Sequence, residues 1–129
     1  MSQPIEQKSE VTTVGTPMNP SVAQETLPAR FVIPELYDEK VHELEEKSNH
    51  IQQLIIDMLL AAGSGHSAGP LGMTDIFVSL YFHAMNIDPK NPDDPNRDRL
   101  VLSNGHICPV QYATMAVAGF FPEEEVKTL

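Results

Sequence analysis

Two histidines stand on glycine-bearing turns that look built for chemistry. One lies in Gly63-Ser-Gly-His-Ser-Ala-Gly-Pro-Leu-Gly-Met-Thr-Asp75, the other at the end of Arg97-Asp-Arg-Leu-Val-Leu-Ser-Asn-Gly-His106. Glycine lets the backbone approach a ligand closely and leaves the neighbouring imidazole exposed. Each turn leads into a predicted helix, and an imidazole donor beside a helix N-terminus suits an anionic, phosphate-bearing ligand. A strand end feeding a helix, as at Asn104-Gly105-His106, is where α/β folds hold phosphates. Blander readings stand beside this one: a solvated loop residue for His66, a turn or capping residue for His106. Taken together, the two turns predict a pair of imidazoles converging on one anion.

Other side chains carry weaker patterns. His42, Glu46 and His50 share one helix face at four-residue steps, a spacing that can present metal ligands. That face is otherwise charged, so a solvated surface is the simpler expectation. Asp88, Asp93, Asp94 and Asp98 do not match a calcium loop, and the prolines among them fit a plain connection. Arg97 and Arg99 are expected to pair locally with Asp93, Asp94 or Asp98. His83 reads as structural. Cys108 sits at a helix start, where a thiolate is stabilised, but a small packing role is the preferred reading.

The elements that position these residues follow from periodicity. Val41, Leu44, Ser48, Ile51, Ile55, Met58 and Ala62 recur at steps of three and four, which predicts a helix over 37–62 closed by Gly63. Its second half is almost wholly apolar and is expected to be buried. Gly63 to Gly72 reads as a turn. A second helix starts near Thr74, with Ile76, Phe77, Leu80, Tyr81 and Ala84 along one side, and ends near Met85. Residues 87–96 form a proline-rich loop. Arg99 to Ser103 reads as a short buried strand around Leu100-Val101-Leu102. A third helix is expected from Cys108 or Pro109 to Ala118, and a fourth begins after Pro122 with Glu123, Glu124 and Glu125. A single strand cannot form a sheet, so this order fits the front end of a larger α/β domain better than a small helical module.

Composition sets bounds. The chain has 129 residues and a formal net charge of −10. Nucleic acid and anionic membrane both call for basic patches, so neither is expected as a partner. An anionic substrate has to be met by local groups against the global field. The lone Cys108 forms no internal disulfide, which fits a reducing cytoplasm. No secretory signal, transit peptide or membrane span is expected. Residues 1–36 hold five prolines and no apolar periodicity, and read as a disordered arm.

From about Tyr37 to Leu129 the sequence resembles the start of a transketolase, and most resembles the separately encoded N-terminal transketolase subunit. The matching stretches, in family order, are Gly63-Ser-Gly-His66, Pro70-Leu-Gly-Met-Thr-Asp-Ile76, Asp88-Pro-Lys-Asn-Pro92, Arg97-Asp-Arg99, Leu102-Ser-Asn-Gly-His106 and Gly119-Phe-Phe-Pro-Glu-Glu-Glu125. Deoxyxylulose-phosphate synthases share Ser-Gly-His and a later Gly-His. Pro70-Leu-Gly-Met73 and Leu102 to His106 point instead to transketolase, with dihydroxyacetone synthase still open.

The resemblance implies an α/β fold in which residues 37–129 form the helix-rich front end of a thiamine-diphosphate-binding parallel-sheet domain, after the disordered arm 1–36. It implies a transferase that moves a two-carbon ketol unit between sugar phosphates, in the pentose phosphate pathway of carbohydrate metabolism. The implied cofactors are thiamine diphosphate and magnesium. By resemblance, His66 is the catalytic histidine near the thiazolium and the donor sugar's hydroxyls, where imidazole can bond substrate or assist proton transfer. His106, with Asn104 and Gly105, corresponds to the contact with the cofactor diphosphate. The family's cofactor lies between this domain and a pyrimidine-binding domain, usually of another chain in a dimer. The implied partner is thus a C-terminal transketolase section or subunit, in a homo- or hetero-oligomer in the cytoplasm.

The sequence also departs from the family. The metal motif Gly-Asp-Gly with its later Asn, the Gly-Pro-Leu-Gly-Gln-Gly-like segment and the pyrimidine domain with its activating glutamate are absent. Metal ligands are therefore expected outside this chain, and the chain alone is expected to be inactive. Ser67-Ala68 replaces the common Pro-Gly, and Ile107-Cys108 replaces residues that are often small. The alternative expectation is a non-catalytic remnant or interaction module docking on a full-length transketolase-like partner. The apolar half-helix from Ile51 to Ala62 motivates it.

Overall fold

The computed structural model describes residues 33–129. The arm assigned to 1–36 lies outside the described residues except for its last four positions, which are exposed and carry no helix or strand. Helix α1 spans Asp38–Ala62, in line with the stripe in the sequence. Gly63 closes it in the left-handed conformation at φ 64°, donating its N–H to Leu60 O at 3.3 Å. Glycine takes that conformation without the Cβ penalty.

The glycine-rich stretch is not wholly a turn. Ala68–Gly72 forms a short helix, α2, and Met73 links it to α3, Thr74–Ser79. Met73 N–H bonds Gly69 O at 3.1 Å and Phe77 N–H bonds Met73 O at 3.1 Å, so the chain barely interrupts its helical bonding. Pro70, in the first turn of α2, has no N–H to lose there. Leu80–Ala84 widens into a single π turn, closed by Met85 N–H to Leu80 O at 2.8 Å. A 3₁₀ turn at Gly105–Ile107 leads into α4, Cys108–Ala118, which ends on Gly119 at φ 93°. Glu123–Thr128 is a 3₁₀ segment rather than the α-helix expected after Pro122.

The core is helix on helix. Ile51, Leu54, Ile55 and Met58 of α1 meet Phe77 and Val78 of α3, Val110, Ala113 and Ala116 of α4, Ile107 of the 3₁₀ turn and Val126. Buried hydroxyls are satisfied locally: Thr74 donates to Pro70 O at 3.1 Å and Thr114 to Val110 O at 2.6 Å. Ser48, a small residue in the α1 stripe, donates to the Asp75 carboxylate at the start of α3. Tyr81 lies between Phe77 and Phe120, each ring 6.4 Å from its own. Burial holds the Tyr81 hydroxyl above its ordinary range, against a bond from Gln111 that lowers it.

The short buried strand expected over Arg99–Ser103 is corrected. No strand occurs among the described residues, so the parallel sheet is not seen there. Val101, assigned to a buried strand, is 90% exposed. The Leu-Val-Leu run has the side chains of a strand, but a strand exists only through its ladder, and no neighbour within 33–129 supplies one. Ile76 is 51% exposed, because Phe77 and Val78 take the buried face of α3. The apolar end of α1 is likewise covered only in part: Ile55 and Met58 are fully buried, whereas Leu60 is 73% exposed.

This packing sets a stability contrast. Ile55→Ala removes fully buried methyl groups and should cost about 2–5 kcal/mol, while Leu60→Ala should stay within about 0.5 kcal/mol. Urea unfolding followed by helical circular dichroism measures both.

Candidate functional site

The C-terminal end of α1 and the N-terminal end of α4 lie together. After α1, Gly63 reverses the chain, and Gly65, at φ 118°, carries it across the end of the helix. A Cβ on Gly65 would stand 2.5 Å from Leu59 Cδ2, so both backbone angle and space call for glycine. His66 follows directly. Before α4, Asn104 caps the 3₁₀ turn: its side-chain oxygen accepts from His106 N–H at 3.2 Å. A Cβ on Gly105 would meet nothing within 4 Å. Gly105 therefore leaves open surface beside His106 rather than relieving a clash.

The structure brings His66 and His106 together. Their ring centroids are 5.1 Å apart, with planes tilted by 56°. Both residues are exposed, and both line an open recess of about 240 Å³ with Leu59, Gly65, Gly105 and Cys108. Leu59 was not visible in the sequence as a site residue. Its signal was indirect: it is an apolar position in the last turn of a helix, just before a glycine hinge.

The donors facing the recess differ from those expected of a bare helix start. The N–H of His106 is bonded to Asn104, that of Ile107 to Asn104 O, and that of Cys108 to Gly105 O. Pro109 has none to offer. The turn has thus consumed the backbone donors that an anion at a helix N-terminus would use. What remains along the recess are the two imidazoles, the Ser64 hydroxyl and the main-chain N–H groups of the Ser64-Gly65-His66 turn; the Asn104 side-chain amide stands behind His106, with its oxygen engaged.

Other candidates separate. His42 lies 3.9 Å from Glu45 and 3.5 Å from Glu46, while His50 reaches across to Glu123 at 2.8 Å. The three-ligand metal reading of α1 is therefore not supported, and no cluster of three or more His, Cys, Asp or Glu able to hold a metal occurs among the described residues. Asp88, Asp94 and Asp98 cap backbone N–H groups of Lys90, Asn96 and Asn86. Arg97, expected to pair with these acids, instead donates to the carbonyls of Pro92 at 2.6 Å and Asp98 at 3.1 Å. Its fork closes the proline loop on main-chain carbonyls, and no ion pair of Arg97 or Arg99 with Asp93, Asp94 or Asp98 occurs among the described residues. His83 keeps a buried Nε2 with no bonding partner. Cys108 is half-buried, and its hydrogen bond to Tyr112 pushes that hydroxyl above its ordinary range. Among the described residues, no helix is long and apolar enough to cross a membrane.

Residues 44–129 match the family model for the transketolase thiamine diphosphate binding domain. The chain is 44% identical over 87 residues to the 6-deoxy-6-sulfo-D-fructose transketolase subunit of Clostridium sp. (strain MSTE9), a match that covers 67% of this chain and 32% of that one. It is 38% identical over 91 residues to the transketolase of Mus musculus, covering 70% of this chain and 15% of that one. To the chloroplastic transketolase of Spinacia oleracea it is 45% identical over 91 residues, covering 68% and 12%. The chain thus spans about a third of the first relative and less than a sixth of the others.

Two substitutions test how the turns are held. Gly65→Ala should destabilise by about 1–3 kcal/mol through its backbone angle alone, and Asn104→Ala by about 1 kcal/mol through the lost cap. Both are measured as shifts in urea midpoint with unchanged slope.

Proposed function

From the premise that the chain belongs to the transketolase N-terminal, thiamine-diphosphate-binding family, we propose that it forms one wall of a cofactor site in a transketolase-like transferase. The single observation that carries this reading is the 5.1 Å approach of His66 and His106 on an open recess. The recess, at about 240 Å³, falls below the roughly 300–1,000 Å³ of complete small-molecule pockets.

The donor set fits a diphosphate. His106 and the Asn104 amide can donate to phosphate oxygens, and Gly105 leaves the space that a bulky anion needs. His66 stands on the neighbouring turn, 5.1 Å away, where it would bond a sugar hydroxyl or move a proton at the reacting end. Thiamine diphosphate, when bound, supplies carbanion stabilisation. The chain's own residues orient it and hold protons around it. The described residues do not fit a magnesium site, since no carboxylate cluster faces the recess. The metal ligands of this reading lie outside residues 33–129.

The transferred group is a two-carbon ketol unit and the substrates are sugar phosphates. The partner is a C-terminal transketolase section or subunit in an oligomer in the cytoplasm. Val101 and Leu60 support a covering partner, because they leave large apolar side chains in water. In this reading the Leu100–Leu102 run becomes a strand once neighbours reach it.

Calorimetric titration of thiamine diphosphate tests the reading. His106→Ala should weaken binding at least about tenfold, near 1.4 kcal/mol; unchanged affinity in that variant would refute the assignment. In a coupled assay with xylulose phosphate, ribose phosphate, cofactor and magnesium, the chain alone should give no turnover. Turnover without a second polypeptide would show that the site is complete in this chain.

A further inference from the structure

The spacing of the two imidazoles needs a cause. The rings are exposed, and no hydrogen bond holds either ring among the described residues. Nor does any backbone bond join the 63–67 turn to the 104–107 turn. Something beneath the rings must fix how far apart their backbones stand.

The two turns touch at one unusually close point. Gly69 of α2 lies three residues after His66, and Ile107 of the 3₁₀ turn lies one residue after His106. A Cβ on Gly69 would come within 2.8 Å of Ile107 Cγ2, closer than real Cβ contacts allow. Ile107 is buried, at 7% exposure, and β-branching leaves its Cγ2 methyl little freedom to rotate away. Gly69 does not hold an unusual backbone angle: among the described residues, the glycines of positive φ are Gly63, Gly65 and Gly119. Its lack of a side chain therefore serves the approach of α2 to Ile107 and not a turn.

We propose that Gly69 is a positioning residue for the histidine pair: by seating α2 directly on the Ile107 methyl, it sets the distance between His66 and His106. Any side chain at position 69 must push Ile107, and with it the His106 turn, away from the His66 turn. Core packing tolerates such insertions only by moving backbone. The proposal rests on the reading of the recess as a cofactor wall only for its consequence. The distance relation itself does not depend on that reading.

The test uses the full chain and three variants: Gly69→Ala, Ile107→Leu, and the double change. Leucine keeps the volume of isoleucine but removes the branch at Cβ, so the double variant makes room for the added methyl. The direct readout is the nuclear Overhauser contact between the His66 and His106 ring protons. It should be strong in the parent and in Ile107→Leu, lost or severalfold weaker in Gly69→Ala, and restored in the double variant. A merely structural role would lower the melting temperature without this pattern of loss and rescue. An unchanged ring contact in folded Gly69→Ala, or no rescue in a folded double variant, overturns the proposal. Should Gly69→Ala fail to fold, the double variant against Ile107→Leu decides alone: equal ring contacts support positioning, and a lost contact overturns it. Titration of inorganic diphosphate separates the two readings. Affinity that falls about tenfold with the ring contact and returns with it supports both. A ring contact that follows the pattern while diphosphate binds none of the proteins leaves Gly69 as the spacer and removes the cofactor wall.

Discussion

Everything at the recess depends on α1 lying against α4. Ile51, Ile55 and Met58 on one side and Val110, Ala113 and Ala116 on the other are buried almost completely, and this contact fixes which helix ends coincide. His66 is carried just beyond the last turn of α1, and His106 just ahead of the first turn of α4. Neither histidine needs to find the other. The apolar faces bring the ends together, and two short turns do the rest. A side-chain pair held in this way is as precise as the core beneath it.

The same arrangement has an electrostatic side. α1 points its carbonyl end at the recess and α4 its amide end, so the partial charges of about half a unit at each terminus oppose one another. No basic residue stands in the last turn of α1 to tilt the balance. The amide end is weakened further, because Asn104 and the 3₁₀ turn have already engaged its donors. Helix fields therefore offer an anion little here, and the whole-chain charge of −10 repels it. Discrimination falls to the side chains themselves, which makes the placement of two rings matter more than any dipole.

Much of this could be read from the sequence. The α1 stripe, its glycine stop, the start of α4 at Cys108 and its end at Gly119 are local signals, and they were legible because each depends on residues a few positions apart. The meeting of His66 with His106 was legible as an expectation, since family-like motifs stood in order. Less was visible where long-range packing decides. The run Leu100-Val101-Leu102 carries strand chemistry, but a strand is a relation between segments, and composition cannot say whether the neighbour is present. The glycines of 63–72 suggested a turn throughout, yet only Gly63 and Gly65 have positive φ. Gly69 sits inside a helix for the sake of a distant side chain. Likewise charges near in sequence suggest carboxylates for Arg97, while the folded loop offers it the carbonyls of Pro92 and Asp98.

The two rings are forty residues apart along the chain. Closing that distance costs loop entropy that is recovered only when α4 docks. The recess therefore cannot exist in a partly assembled chain that has formed α1 alone. It comes into being only with the docking of α4 on α1, so a chain in which those helices have not met presents no recess.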